Sequence, residues 1–151
     1  MPNAILDLIH CHGSVRKYRP DPVPPETIEA IVAAGQRAST SSNLQMTSVV
    51  AVTDAATRAR LSELCGNQAH VAQAPVFLAW CTDLNRLDRA CELRGATQVT
   101  DYVENSLVAA VDVAIAAQNA PLAANLLTDT RWRAQQSSTT DQRRPDVRFA
   151  T

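Results

Sequence analysis

From about Thr100 to Ala120 the chain keeps a helical apolar spacing, with Leu107, Val108, Val111 and Ile115 set among many alanines. No other stretch constrains the fold as strongly. A helix this long and alanine-rich hides its surface only by close packing, either through the centre of a domain or against a partner. With 151 residues, 46% of them hydrophobic, the chain can bury one core, and one domain is expected over residues 1–127. Pro121 then enters the pattern. Proline inside a helix costs about 3 kcal/mol, so the helix is predicted to kink or stop near Asn119.

The preceding segments alternate between helix and strand signals. Asn3 can cap a short helix carrying Ile5, Leu6, Leu8 and Ile9, which ends at the loop His10 to Ser14. Arg19-Pro20-Asp21-Pro22-Val23-Pro24-Pro25 must be an extended connector, because prolines remove backbone donors and restrict the residues before them. Pro25 and Glu26 open a second helix, with Ile28, Ile31, Val32 and Gly35 on one face. Thr47 to Thr53 is rich in β-branched residues and reads as a strand. Asp54 caps a helix over 55–64 that Gly66 stops, and a helical turn at 70–74 ends at Pro75. Val76 to Thr82 is a second strand whose nearly continuous apolar run predicts burial on both faces. A solvent-facing helix is expected over 83–94.

After Leu127 the character changes. Residues 128–151 carry five arginines against three aspartates, four consecutive Ser/Thr residues and no periodic apolar face, so a polar, disordered tail is expected. All four glycines lie before it, which excludes a Gly-rich phosphate loop in the second half.

Bulk properties narrow the function classes. A net charge of -1 gives no basic field for nucleic acid, and apolar runs such as 74–81 are too short to span a bilayer. Met1-Pro2-Asn3 lacks the charged start of an export signal, so a cytoplasmic location and reduced thiols at Cys11, Cys65, Cys81 and Cys91 are expected. A metal cluster at His10-Cys11-His12 is disfavoured, since consecutive residues point in different directions and no second ligand pair is suitably spaced. No G-x-S-x-G is present, and no cysteine has a protease-type context.

Two polar loops remain as site candidates. His12-Gly13-Ser14-Val15-Arg16 places a guanidinium fork, a hydroxyl and an imidazole together, which suits a phosphate; the bland alternative is a solvated loop. Thr40, Ser41, Ser42, Asn43 and Gln45 offer uncharged donors and acceptors, which suits a heteroaromatic ring; the bland alternative is a helix-to-strand turn. Gln68 can donate and accept, although it also reads as the loop before a helix, and His70 reads as an exposed structural histidine.

Taken in order, Ile5 to Ile9, His12 to Tyr18, Ala38 to Gln45, Gly66-Asn67-Gln68-Ala69-His70-Val71, and Val111-Asp112 with Ala116-Ala117-Gln118-Asn119-Ala120 closely resemble the FMN-dependent nitroreductase and NADPH-flavin oxidoreductase family. The resemblance runs from about Ile5 to Ala124. It implies an α+β fold with a mixed sheet flanked by helices, a long central helix, and a homodimer with FMN at the subunit interface. It also implies that His12, Ser14 and Arg16 grip the FMN phosphate and ribityl chain, that Thr40 and Ser41 serve the ring, and that the Gln68 amide lies near it. The implied chemistry is hydride transfer from NADPH or NADH through the flavin to nitroaromatic, quinone or flavin acceptors. The flavin carries the electrons, which accounts for the lack of an acid/base dyad.

The sequence departs from the family in two places. Gly13 stands where the family usually has arginine, which removes one cation from the phosphate site. The family's glycine-rich strand, further basic residues and C-terminal extension have no counterpart after Ala124, so the resemblance implies a C-terminally truncated fold whose polar tail comes from another reading frame or a truncated gene product. Two alternatives follow: an inactive remnant that at most dimerises, and a helical interaction module using the apolar face of 103–115.

Overall fold

The computed structural model describes residues 3–10, 12–99 and 102–127. Cys11, Thr100 and the whole of the expected tail lie outside the described residues. In chain order the elements are α1 (Ala4–His10), α2 (Pro25–Gln36), a single 3-10 turn (Ser41–Asn43), β1 (Thr47–Val52), α3 (Ala55–Leu64), α4 (Ala69–Gln73), β2 (Phe77–Thr82), α5 (Leu84–Glu92) and α6 (Val103–Leu127).

The caps explain most of the boundaries. The Asn3 side chain accepts the backbone N–H of Ile5 at 3.0 Å and starts α1. Pro25 occupies the first turn of α2, where its missing N–H costs nothing. Asp54 accepts the N–H of Thr57 at 2.7 Å at the start of α3, and Gly66 follows that helix at a φ of +81°. Asp83 caps α5 by accepting the N–H of Arg86 at 3.0 Å.

β1 and β2 form a two-stranded antiparallel sheet, paired from Thr47 opposite Thr82 to Val52 opposite Phe77. The α+β class expected from the sequence holds. The parallel pairing that a mixed sheet requires has no counterpart among the described residues. The apolar run of β2 does not bring burial on both faces: Phe77 to Trp80 are half-buried and Cys81 and Thr82 exposed. The reason is its position, with only β1 beside it and a cavity lined by Phe77, Leu78 and Trp80 next to it.

α6 organises the rest, packing against α2, β2 and the N-terminal helix. It does not stop at Asn119 but runs unbroken through Pro121 to Leu127. Pro121 is exposed, and the loss is the single hydrogen bond that its N–H would have made to Ala117. Packing of Ala116 and Ala120 on the neighbouring elements holds the helix together across that gap.

The two faces of α6 invert the usual arrangement. Ala109, Asp112, Ala116 and Ala120 are buried, while Val103, Leu107, Val111 and Ile115, spaced four residues apart, are 43–70% exposed on the opposite side. The small side chains go inward because α2 approaches closely. By length and composition α6 could cross a membrane, contrary to what the short apolar runs suggest, but its inner face carries a buried carboxylate and packs on α2 and β2 like the core helix of a folded domain.

Gly35 marks the tightest contact. It is buried on α2 directly over Trp80, and a Cβ built there would lie 2.1 Å from the indole Cη2. Gly35→Ala should therefore destabilise the fold by about 1–3 kcal/mol, the usual consequence of overpacking, despite alanine's better helix propensity. Chemical denaturation measures this; a neutral or stabilising result would show that Trp80 moves aside freely.

A second prediction concerns acid stability. The Ser48 hydroxyl donates to Asp83, and this bond, followed by the Arg86 N–H, holds the Asp83 carboxyl below its ordinary value of 3.8. A depressed carboxyl stabilises the fold above that value and loses its contribution as pH falls through the lower folded value. In Ser48→Ala the Asp83 carboxyl should titrate closer to 3.8 by NMR, and the difference in stability between the two proteins should shrink as pH drops below that point.

Candidate functional site

The first polar loop leaves α1 with the His12 N–H donating to the Ile9 carbonyl at 3.2 Å. The Tyr18 hydroxyl folds back onto the Val15 carbonyl at 2.9 Å, and Arg19 pairs with Asp21 at 2.8 Å to start the proline connector. Burial pushes the Tyr18 phenol up from its ordinary value, with the nearby Arg16 charge opposing the shift.

His12 borders a cavity of about 500 Å³ enclosed by the first loop, Ile31, residues 70–78 and the C-terminal part of α6. Its Nδ1 lies 3.5 Å from Asn125 Nδ2. His70 also lines this cavity and is half-buried, not the exposed histidine expected. Most of the other walls are apolar, from Val71 and Phe77 to Ala120.

The second polar loop opens on a different cavity, of about 830 Å³, lined by the end of α2, Thr40, Asn43, Gln45, the start of β1, Trp80, Arg86 and Ala116. Trp80 is shared by both cavities. Of the residues expected from the sequence, His12 faces the first cavity and Thr40 the second, while Ser14, Arg16, Ser41 and Gln68 line neither.

The backbone of the second loop is unusual. Ser42, Asn43 and Gln45 have φ of 50°, 55° and 52°, in the left-handed region that side chains disfavour. Such a run persists only where the surroundings impose it. Here the imposing group is Asp112 of α6, 1% exposed, whose carboxylate accepts the Ser41 N–H at 2.9 and 3.2 Å and the Ser41 hydroxyl at 3.0 Å. The Asn43 side chain adds an acceptor for Gln45 Nε2 at 3.0 Å.

Sequence reasoning singled out Ser41 and missed what it is tied to. Its hydroxyl proton is committed to Asp112. The available signal was an acid set among the alanines in the middle of a helical pattern, since a carboxylate enters such a core only with donors to meet it. Gln68 precedes α4, and its backbone is fixed by the Ser62 hydroxyl donating to its carbonyl at 2.8 Å; among the described residues its side-chain amide has no hydrogen-bond partner.

The residues present fit a phosphate-bearing cofactor in donor chemistry. Arg16 is exposed, and among the described residues it takes part in no ion pair; the Ser14 hydroxyl is likewise uncommitted, and nothing lies within 4 Å of a Cβ at Gly13. Comparison with known proteins then decides the affiliation: the model of the nitroreductase family matches residues 12–128. The chain belongs to the nitroreductase family. It is 40% identical over 122 residues to the NADPH-flavin oxidoreductase of Vibrio harveyi, covering 81% of this chain and 49% of that protein. With the FMN reductase [NAD(P)H] of Bacillus subtilis it shares 39% identity over 127 residues, covering 83% and 51%. Among solved structures, NfrA2 of B. megaterium superposes with a TM-score of 0.80 at 39% identity, over 83% of this chain and 52% of that one. The chain thus spans about half the length of the nitroreductase relatives it matches.

The Asp112 tether yields a direct test. Asp112→Ala leaves the Ser41 N–H without its acceptor and should cost about 1–3 kcal/mol or more, with the loop over 41–45 losing its protection from amide exchange. Asp112→Asn keeps one acceptor oxygen and should fall between the two. Unchanged exchange at Ser41 to Gln45 in the alanine variant would show that the loop holds its own shape.

Proposed function

We propose that the chain binds FMN and serves, in the cytoplasm, as an oxidoreductase that takes electrons from NADPH or NADH and delivers them to small acceptors such as nitroaromatics, quinones or free flavins. The observation that carries this reading is the uncommitted donor set of the first loop, Ser14 and Arg16 beside His12, in a chain of the nitroreductase family. When bound, FMN supplies the two-electron relay between nicotinamide and acceptor. In this reading Arg16 pairs with the phosphate, Ser14 and His12 add hydrogen bonds, and the free Gln68 amide meets the polar edge of the ring.

Two copies of the chain are part of the same reading. The first loop and the second face different cavities, so a cofactor served by both is held between one copy's His12, Ser14, Arg16 and Gln68 and the other's Thr40 and Ser41. The exposed stripe of Val103, Leu107, Val111 and Ile115, with Ile5, Leu6 and Ile9 of α1 also 49–67% exposed, supplies apolar surface for that pairing. Fixing Ser41 on Asp112 presents Thr40 in a set position, which spares ordering cost on binding.

Flavin titration together with solution mass tests the reading. The chain should bind FMN saturably as a dimer; Arg16→Ala should weaken binding at least about tenfold, the effect of one charge-assisted contact, and Gly13→Arg should tighten it at low salt. Val111→Glu should yield monomers that lose FMN as well. A dimer that takes no FMN would sink the flavin reading and favour a second one, for which the exposed stripe on α6 speaks: a module that associates through its helices without a cofactor.

A further inference from the structure

The cavity beside the second loop carries a charge pattern that the flavin reading does not use. Among the described residues its charged lining is Arg37 and Arg86, with no acid, in a chain whose net charge is -1. Arg37 follows the last turn of α2, and Arg86 sits in the first turn of α5, where the helix's own field is positive and disfavours a cation. Among the described residues neither guanidinium is in an ion pair. The field of Asp83 reaches Arg86, but its carboxylate is already taken by the Ser48 hydroxyl and by the backbone N–H of Arg86.

The rest of the lining suits a planar polar molecule. Gln36 and Ser39 add uncharged polar side chains to the lining. Trp80 offers aromatic surface, and a volume of about 830 Å³ lies within the range of small-molecule sites.

We propose that this cavity is an anion-selective site for an aromatic carboxylate, with Arg37 and Arg86 taking the carboxylate and Trp80 the ring. Guanidinium forks match carboxylate oxygens in geometry as well as charge. The binding is independent of flavin; only the identification of this ligand as the electron acceptor rests on the flavin reading.

Tryptophan fluorescence tests it. The chain has two tryptophans, so Trp132→Phe leaves Trp80 as the reporter in the full-length protein. Titration with 4-nitrobenzoate should quench Trp80 saturably, and the neutral 4-nitrobenzyl alcohol should bind about tenfold more weakly, the effect of one hydrogen bond to a charged group. Arg37→Gln and Arg86→Gln, both at exposed positions, should keep the parent's melting temperature and bring nitrobenzoate down towards the alcohol. Equal affinity for acid and alcohol, or an unchanged acid affinity in both variants, would overturn the proposal. A chain that binds nitrobenzoate selectively but takes no FMN leaves the anion site standing and refutes the flavin reading alone.

Discussion

The structure depends on one buried carboxylate. Asp112 sits on the inner face of α6 and reaches across to Ser41, which lies far from it in sequence. A single acid inside an alanine-lined helix contact would be destabilising by itself. Met by a backbone N–H and a hydroxyl, it becomes the clamp that holds three left-handed residues in place and joins the C-terminal helix to the loop before β1. Both cavities are bounded by elements that this clamp positions.

Around that clamp, α6 uses small residues for close approach and turns its large ones outward. Gly35 over Trp80 belongs to the same geometry, since α2 can only come near α6 and β2 where a side chain is missing. The result is a thin interior: among the described residues Met46 is the largest fully buried apolar side chain, and the exposed apolar residues are mostly longer than the buried ones. Apolar surface arranged in this way is available for an interface.

Much of this was legible beforehand. The caps at Asn3, Asp54 and Gly66 and the proline at the start of α2 are local effects, so the sequence states them directly. Four features were not legible, each decided by a distant partner. Pro121 stays inside α6 because packing on both sides of it outweighs one lost hydrogen bond. β2 is half-buried because its surroundings include a cavity and a single neighbouring strand, which an apolar run cannot reveal. Ser41 is bound to a carboxylate on another element, and the separation of the two polar loops onto different cavities depends on the placement of Trp80 between them.

The two-stranded sheet has a further consequence. Neither Thr-Ser-Val-Val-Ala-Val nor Phe-Leu-Ala-Trp-Cys-Thr contains a charge or a proline, and each strand has a single partner in the sheet among the described residues. Such segments lack the gatekeepers that keep strand edges from adding further strands. The solubility of this chain at high concentration therefore hinges on how quickly those two edges are shielded after synthesis, a kinetic requirement quite separate from the stability of the folded domain.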